Sequence, residues 1–144
     1  MKTLLHILTI FAFAVAPALA DVKAKTGPRH GRILELEGVN AEFFVEKDRT
    51  VSIAFYDAAG KRQRAAAQVI IATAEAPGAK VKLEFEKKGD LLVSKSPLPP
   101  GEGYQVVVQA KTSADAKSKN FRIKLETHQC KKCGHPEYAC TCDE

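Results

Sequence analysis

Cysteine is missing from most of this 144-residue chain, and its distribution limits the sites that the chain can build. The first 129 residues contain none. The body of the protein therefore cannot supply the thiolate of a blue-copper centre, which needs histidine, cysteine and histidine around one ion. No cysteine follows the apolar N-terminal run either, which argues against a bacterial lipoprotein. All four cysteines fall within the last fifteen residues.

Long apolar runs are also missing after Ala20, and nothing there is long enough to cross a membrane. Before it, a short basic start precedes an apolar stretch over Leu4–Val15. Ala18-Leu19-Ala20 then places small residues at the −3 and −1 positions of a signal-peptidase site. The pattern predicts a secretory signal peptide over residues 1–20. We therefore expect a protein of the periplasm, or a secreted one, with no membrane anchor after cleavage.

Signatures of catalysis and of nucleic-acid binding are absent as well. The chain has no glycine-rich phosphate loop, and no histidine beyond the signal lies in a nucleophile-elbow or zinc-protease context. The formal net charge is +5, but lysine and glutamate alternate, as in "KVKLEFEKK", without interleaved aromatic residues. The sequence predicts a protein that is not an enzyme and does not bind nucleic acid.

What the sequence does contain is apolar–polar alternation with a period of two. "KVKLEFE" puts Val81, Leu83 and Phe85 on one face, and "YQVVVQA", "FRIKLE", "TVSIAFY" and "AEFFVE" follow the same rule. Glycine, proline and aspartate mark turns between these runs, and no segment has the period of a helix. About eight short strands predict an all-β fold, an antiparallel Greek-key β-sandwich of immunoglobulin-like or cupredoxin-like strand order.

Four segments follow from this pattern. Residues 1–20 are the signal peptide, 21–29 a flexible polar tail, 30–126 the β-sandwich domain and 127–144 a short irregular Cys-rich tail. The last segment is too polar to bury a core of its own. It therefore needs a cross-link to be ordered, either a metal ion or disulfides.

The cysteine spacing favours the metal. Cys130, Cys133, Cys140 and Cys142 give the pattern C-x2-C-x6-C-x-C, and "CKKCGH" resembles a zinc knuckle in which Gly134 lets backbone N–H groups face the sulfurs. Four thiolates suit tetrahedral zinc, and soft sulfur also suits copper(I). The short second half differs from a zinc ribbon. His128 and His135 lie among the cysteines and are additional candidate ligands.

Disulfides and thiol redox chemistry are the competing interpretations. Exported thiols are usually oxidised, and two pairings suit the spacing: 130–142 with 133–140, or 130–140 with 133–142. Either pairing would close loops of about ten residues and leave the histidines without a role. Redox chemistry is disfavoured because Gly134 and Pro136 prevent the helix that normally lowers the pKa of a reactive Cys-x-x-Cys pair.

A second signal lies in "GPRHGRILELEGVNAEFFVEKDRTVSIAFYDAAGKRQ", where a histidine-glycine pair opens the first strand and a hairpin ends in an Asp-x-x-Gly-Lys turn. Residues 28–64 resemble small exported "His-Gly-Gly" β-sandwich domains associated with periplasmic heavy-metal efflux and adaptor proteins. Arg32 stands where that pattern has its second glycine, so His30 is the one candidate ligand there. The resemblance implies a metal-handling protein of a Gram-negative bacterium, with a periplasmic efflux or envelope protein as partner.

Together these patterns predict an exported metal-binding protein, a carrier, buffer or accessory to heavy-metal efflux, that binds zinc or copper(I) through its four cysteines. The alternative is a cell-envelope binding or structural β-sandwich whose tail is closed by two disulfides.

Overall fold

The computed structural model describes residues 24–142, so the predicted signal peptide, residues 21–23 and the last two residues lie outside it. The described chain is nearly all β, as predicted, and has no helix long and apolar enough to cross a membrane. The elements are β1 Arg32–Glu35, β2 Asn40–Val45, β3 Val51–Tyr56, β4 Arg62–Gln63, β5 Val69–Ala76, β6 Ala79–Leu83, β7 Phe85–Lys88, β8 Leu91–Ser94, β9 Gln105–Lys111, β10 Lys119–Lys124 and the 3-10 helix η1 Glu137–Ala139.

The strands form two antiparallel sheets. The first has the order β1-β2-β3-β8-β7, with β4 paired to the C-terminal end of β3. The second has the order β10-β9-β5-β6. The runs β2-β3-β8-β7 and β10-β9-β5-β6 follow the A-B-E-D and G-F-C-C′ order of the immunoglobulin sandwich. The sequence alone left this order open.

One hydrophobic core lies between the sheets because the alternating apolar side chains of both face inward. In β9, Val106, Val108 and Ala110 are fully buried, whereas Gln105 before them and Gln109 between the last two are exposed. The first sheet adds large side chains, chiefly Phe43, Ile53 and Phe55, and the second sheet adds Ile70, Ala72, Leu83 and Ile123. Burial of this apolar surface is the main stabilising contribution.

The segment "KVKLEFE" departs from the prediction that it is one strand. Its first half ends β6 of the second sheet, its second half begins β7 of the first, and Glu84 lies between them outside both strands. The Glu84 carbonyl accepts a hydrogen bond of 2.8 Å from the Lys95 N–H at this crossing. Leu83 is buried and Phe85 half-buried on either side of the break, so the alternation in sequence does not reveal it.

Candidate metal centre

The first two cysteines lie in a tight turn at the tip of a small hairpin in the C-terminal tail. An isolated β-bridge closes the base of this hairpin. At its tip the Gly134 N–H donates to the Cys130 carbonyl at 2.8 Å, and Gly134 has a φ of 73°, which glycine adopts without strain. The His135 N–H donates to the Cys133 sulfur. The knuckle turn predicted from "CKKCGH" is therefore present.

The other two cysteines follow η1 and complete a compact group of four sulfur atoms. All four lie within 4.8 Å of one another, with Cys133 Sγ 3.6 Å from Cys140 Sγ and Cys130 Sγ 4.0 Å from Cys142 Sγ. A tetrahedral zinc ion with Zn–S bonds of about 2.3 Å would hold its sulfurs about 3.8 Å apart. The four cysteines can therefore hold one metal ion, and small side-chain movements suffice.

Hydrogen bonding within the group differentiates the thiols. The His135 backbone N–H, assisted by the neighbouring thiols, lowers the pKa of Cys133 to about 7. The Cys142 N–H favours the Cys140 thiolate, but hydrogen bonds with the other thiols, together with burial, raise the pKa of Cys140 to about 12. The Cys133 hydrogen bond, followed by burial, also raises the pKa of Cys142. The metal-free group thus favours the Cys133 thiolate near neutral pH, while the Cys140 and Cys142 thiols hold their protons.

One side of the sulfur group is open to solvent. Cys130, Cys140 and Cys142 line a cleft of roughly 310 Å³. A divalent ion bound by four thiolates carries a net charge of −2, and the exposed lysines of this cleft offset part of it. An incoming ligand can approach an ion here from the cleft side. The remaining walls are His128, Gln129, Lys131, Lys132 and Glu137.

The tail is packed against the body by residues next to the cysteines. Tyr138 is only 3% exposed, and its ring meets that of Phe43 edge-on at a centroid distance of 6.0 Å. Its hydroxyl accepts a hydrogen bond of 3.1 Å from the Val45 N–H. Ala139 is fully buried, and its carbonyl accepts a hydrogen bond from the Thr26 hydroxyl at 2.6 Å. The tail therefore contributes two side chains to the core of the sandwich, although it has no core of its own.

His128 lies at the start of the tail, immediately before the β-bridge that closes the base of the hairpin. Its Nδ1 is 3.4 Å from a Glu102 carboxylate oxygen, and the imidazole is mostly exposed. The Thr127 hydroxyl donates to the same carboxylate, and this bond, followed by the one from His128, lowers the pKa of Glu102. These contacts fix the direction in which the tail leaves β10.

His30 lies in a loop that wraps around a buried carboxylate. The fully buried Glu42 accepts hydrogen bonds through Oε1 from the N–H groups of Arg29 and Gly31, at 2.8 and 2.9 Å. Its Oε2 accepts one from the Tyr56 hydroxyl at 2.8 Å, and burial, followed by this bond, raises the pKa of Tyr56. The loop belongs partly to the segment predicted to be a flexible tail, yet it is fixed by hydrogen bonds.

His30 and His135 meet although 105 positions separate them in sequence. Their Nδ1 atoms are 3.0 Å apart, and the rings stack at a centroid distance of 4.9 Å. Neither ring belongs to the group of four sulfurs, and His128 does not either. The predicted thiol ligands are therefore together, whereas the three histidines predicted as additional ligands lie outside the group.

The residues that hold the site against the sandwich were not predicted from the sequence. Tyr138 and Ala139 are a short apolar pair in an otherwise polar tail, and this pair was the available signal. The burial of Glu42 could not be predicted, because in the sequence it looks like any other charged residue of an alternating strand. Comparison of the chain with protein-family models, with curated proteins and with solved structures found no match. The likeness to His-Gly-Gly domains therefore stays a prediction.

Proposed function

We propose that this chain is an exported, non-enzymatic protein that binds zinc or copper(I) through Cys130, Cys133, Cys140 and Cys142. The observation that carries the proposal is the grouping of four sulfurs at separations close to those of a tetrahedral thiolate site. Export rests on the N-terminal sequence pattern, and the association with heavy-metal efflux rests on the sequence resemblance at residues 28–64.

The open side of the group supports a role as carrier or buffer rather than a sealed structural site. Three of the four cysteines line the cleft, so a competing thiolate or imidazole can reach the ion before its own ligands have left. The ion then moves by stepwise ligand exchange, in which Cys140 and Cys142, whose pKa values are raised, each take up a proton as they leave the ion. The exposed Lys131 and Lys132 favour a partner with an acidic surface around its acceptor site.

The test is the metal content and thiol state of protein purified from the exported fraction without chelator. We expect one zinc or copper ion per chain by native mass spectrometry, and four alkylatable thiols after denaturation. Cys133→Ser should lose the ion while the sandwich stays folded, and Thr141→Ser, between two of the ligands, should retain it. A metal-free mass four hydrogens below the reduced value would overturn the proposal.

That outcome would support a cell-envelope binding or structural protein with two disulfides in its tail. The geometry gives this alternative one specific argument, because the sulfur pairs Cys133–Cys140 and Cys130–Cys142 match one of the two predicted pairings. Peptide mapping under non-reducing conditions would identify those pairs. The tail would then be fixed covalently, and its packing on the sandwich would not respond to a chelator.

A further inference from the structure

The contact between His30 and His135 joins two loops that are both held rigid. His30 has a φ of 65°, a left-handed conformation that is uncommon outside glycine. The hydrogen bonds of Glu42 to the N–H groups on either side of His30 hold it there. Backbone strain of this kind concentrates at functional sites, where the surrounding structure fixes it.

Gly27 and Gly31 of this loop lie too close to β2 for either position to carry a side chain. A Cβ on Gly27 would lie 2.5 Å from the Glu42 carboxyl carbon, and one on Gly31 would lie 2.4 Å from the Phe43 carbonyl oxygen. On the opposite side, His135 follows Gly134 in the knuckle turn, and its carbonyl accepts a hydrogen bond of 2.8 Å from the Cys130 N–H. Both imidazoles are thus presented by hydrogen-bonded backbone.

The separation of the two Nδ1 atoms suits two ligands of one ion. Metal–nitrogen bonds of about 2.0–2.1 Å place neighbouring ligand nitrogens about 3.3 Å apart at a tetrahedral zinc ion and about 2.9 Å apart at the right angles of Cu²⁺ or Ni²⁺ sites. The observed 3.0 Å lies between these values. His30 is exposed and His135 partly so, which gives solvent and ions access to the pair.

We propose that His30 and His135 form a second metal site, separate from the four thiols, for a borderline divalent ion such as Zn²⁺, Ni²⁺ or Cu²⁺. Imidazole nitrogen suits these ions, and water fills the remaining coordination positions. With two protein ligands the site binds more weakly than the thiolate group and exchanges its ion readily. The site uses none of the four thiols as ligands, although the turn that contains Cys130 and Cys133 positions His135.

The test counts zinc ions per chain by native mass spectrometry and isothermal titration. Wild-type protein should bind one more zinc ion than either His30→Asn or His135→Asn, whatever the thiol state of the tail. Asparagine tolerates the left-handed backbone at position 30, so the first variant keeps its fold. His128→Asn is the matched control and should bind as many ions as wild type.

Three results would overturn this site. The first is an equal zinc count in wild type and both variants, which would make the pair a hydrogen-bonded contact between the two loops. The second is loss of the tighter ion in His135→Asn, which would place His135 in the thiolate group. The third is an unchanged Nδ1 signal of either histidine in long-range ¹H–¹⁵N spectra as the weaker zinc ion is added. Shifts of both Nδ1 signals would support the site.

Discussion

The buried side chain of Glu42 orders the loop that carries His30. Its carboxylate accepts three hydrogen bonds, two of them from backbone N–H groups of the loop that carries His30. A buried polar group is tolerated when it is fully hydrogen-bonded, and removing its partner leaves each donor unsatisfied. The stability of the loop is therefore concentrated in one residue that its sequence context does not distinguish.

We predict that Glu42→Ala lowers the free energy of unfolding by about 3 kcal/mol or more, since it leaves three donors without an acceptor. Glu42→Gln keeps the shape and most of the bonds and should cost about 1 kcal/mol. Urea unfolding measures both effects, with the exposed Glu37→Ala as control, expected within about 0.5 kcal/mol of wild type. Equal stability of Glu42→Ala and wild type would contradict this role.

The cysteine pKa values predict how zinc affinity depends on pH. Above pH 7 Cys133 is already a thiolate, whereas Cys140 and Cys142, whose pKa values are raised, must release protons when an ion binds. Below pH 7 Cys133 must release one as well. Zinc affinity should therefore fall as the pH falls. The slope of log affinity against pH should be steeper below neutrality, because about one additional proton is released for each ion bound.

Competition titrations with a chromophoric chelator at a series of pH values measure this slope. A slope that is constant across neutrality in wild type would show that Cys133 does not titrate separately from the other three.

At the scale of elements, the strands were largely predictable and their connections were not. The buried face of β9 follows directly from alternation, because neighbouring positions in a strand face opposite sides. The break at Glu84 was missed because both neighbours stay apolar and inward as the chain changes sheets. Alternation reports which side chains are buried, but it does not report which sheet buries them.

The tail was predictable in its chemistry and unpredictable in its position. The spacing of the cysteines is local, so the knuckle could be inferred from a dozen residues. Its attachment is not local: Tyr138 packs on Phe43, and His135 meets His30. No pattern within the tail identifies partners so distant in sequence.

The attachment predicts that metal removal weakens the whole sandwich. An ion that holds the tail in its folded shape also holds Tyr138 in the core, so binding and folding are linked. Chelator treatment should lower Tm by at least about 5 °C, equivalent to roughly 1–2 kcal/mol at this size. Differential scanning calorimetry with and without chelator measures the change.

Tyr138→Ala separates this linkage from a direct effect of the chelator. The variant should be less stable than wild type by about 3–5 kcal/mol, as is usual for removal of a buried aromatic ring. It should still bind zinc, but its Tm should no longer respond to chelator. If its Tm fell as far as that of wild type, the ion would be stabilising the body by another route.

At the scale of the whole molecule, the charge distribution protects the open sheet edges. The second sheet ends at β6 and the first at β7, and both strands carry exposed lysines, including Lys82 and Lys87. Charged side chains on edge strands oppose pairing with another chain. The exposed lysines of β6 and β7 therefore oppose edge-to-edge association of the sheets.

Replacing both edge lysines should cause self-association. We expect Lys82→Val with Lys87→Val to form concentration-dependent oligomers, because β-branched apolar side chains favour strand addition at a bare edge. Sedimentation velocity over a range of concentrations measures this association. The control is Lys117→Val, in the loop before β10, which also replaces an exposed lysine with valine but lies outside the edge strands. Identical sedimentation of the double variant and the control would refute the prediction.

The bond between the Thr26 hydroxyl and the Ala139 carbonyl has a consequence for the order of folding. It closes a loop of 113 residues, whereas the four cysteines lie within thirteen. Short loops close faster and lose less chain entropy than long ones. The knuckle turn can therefore form while the rest of the chain is still unfolded. We expect the docking of the tail against the segment that contains Thr26 to be a late step of folding, which completes the core by adding Tyr138 and Ala139.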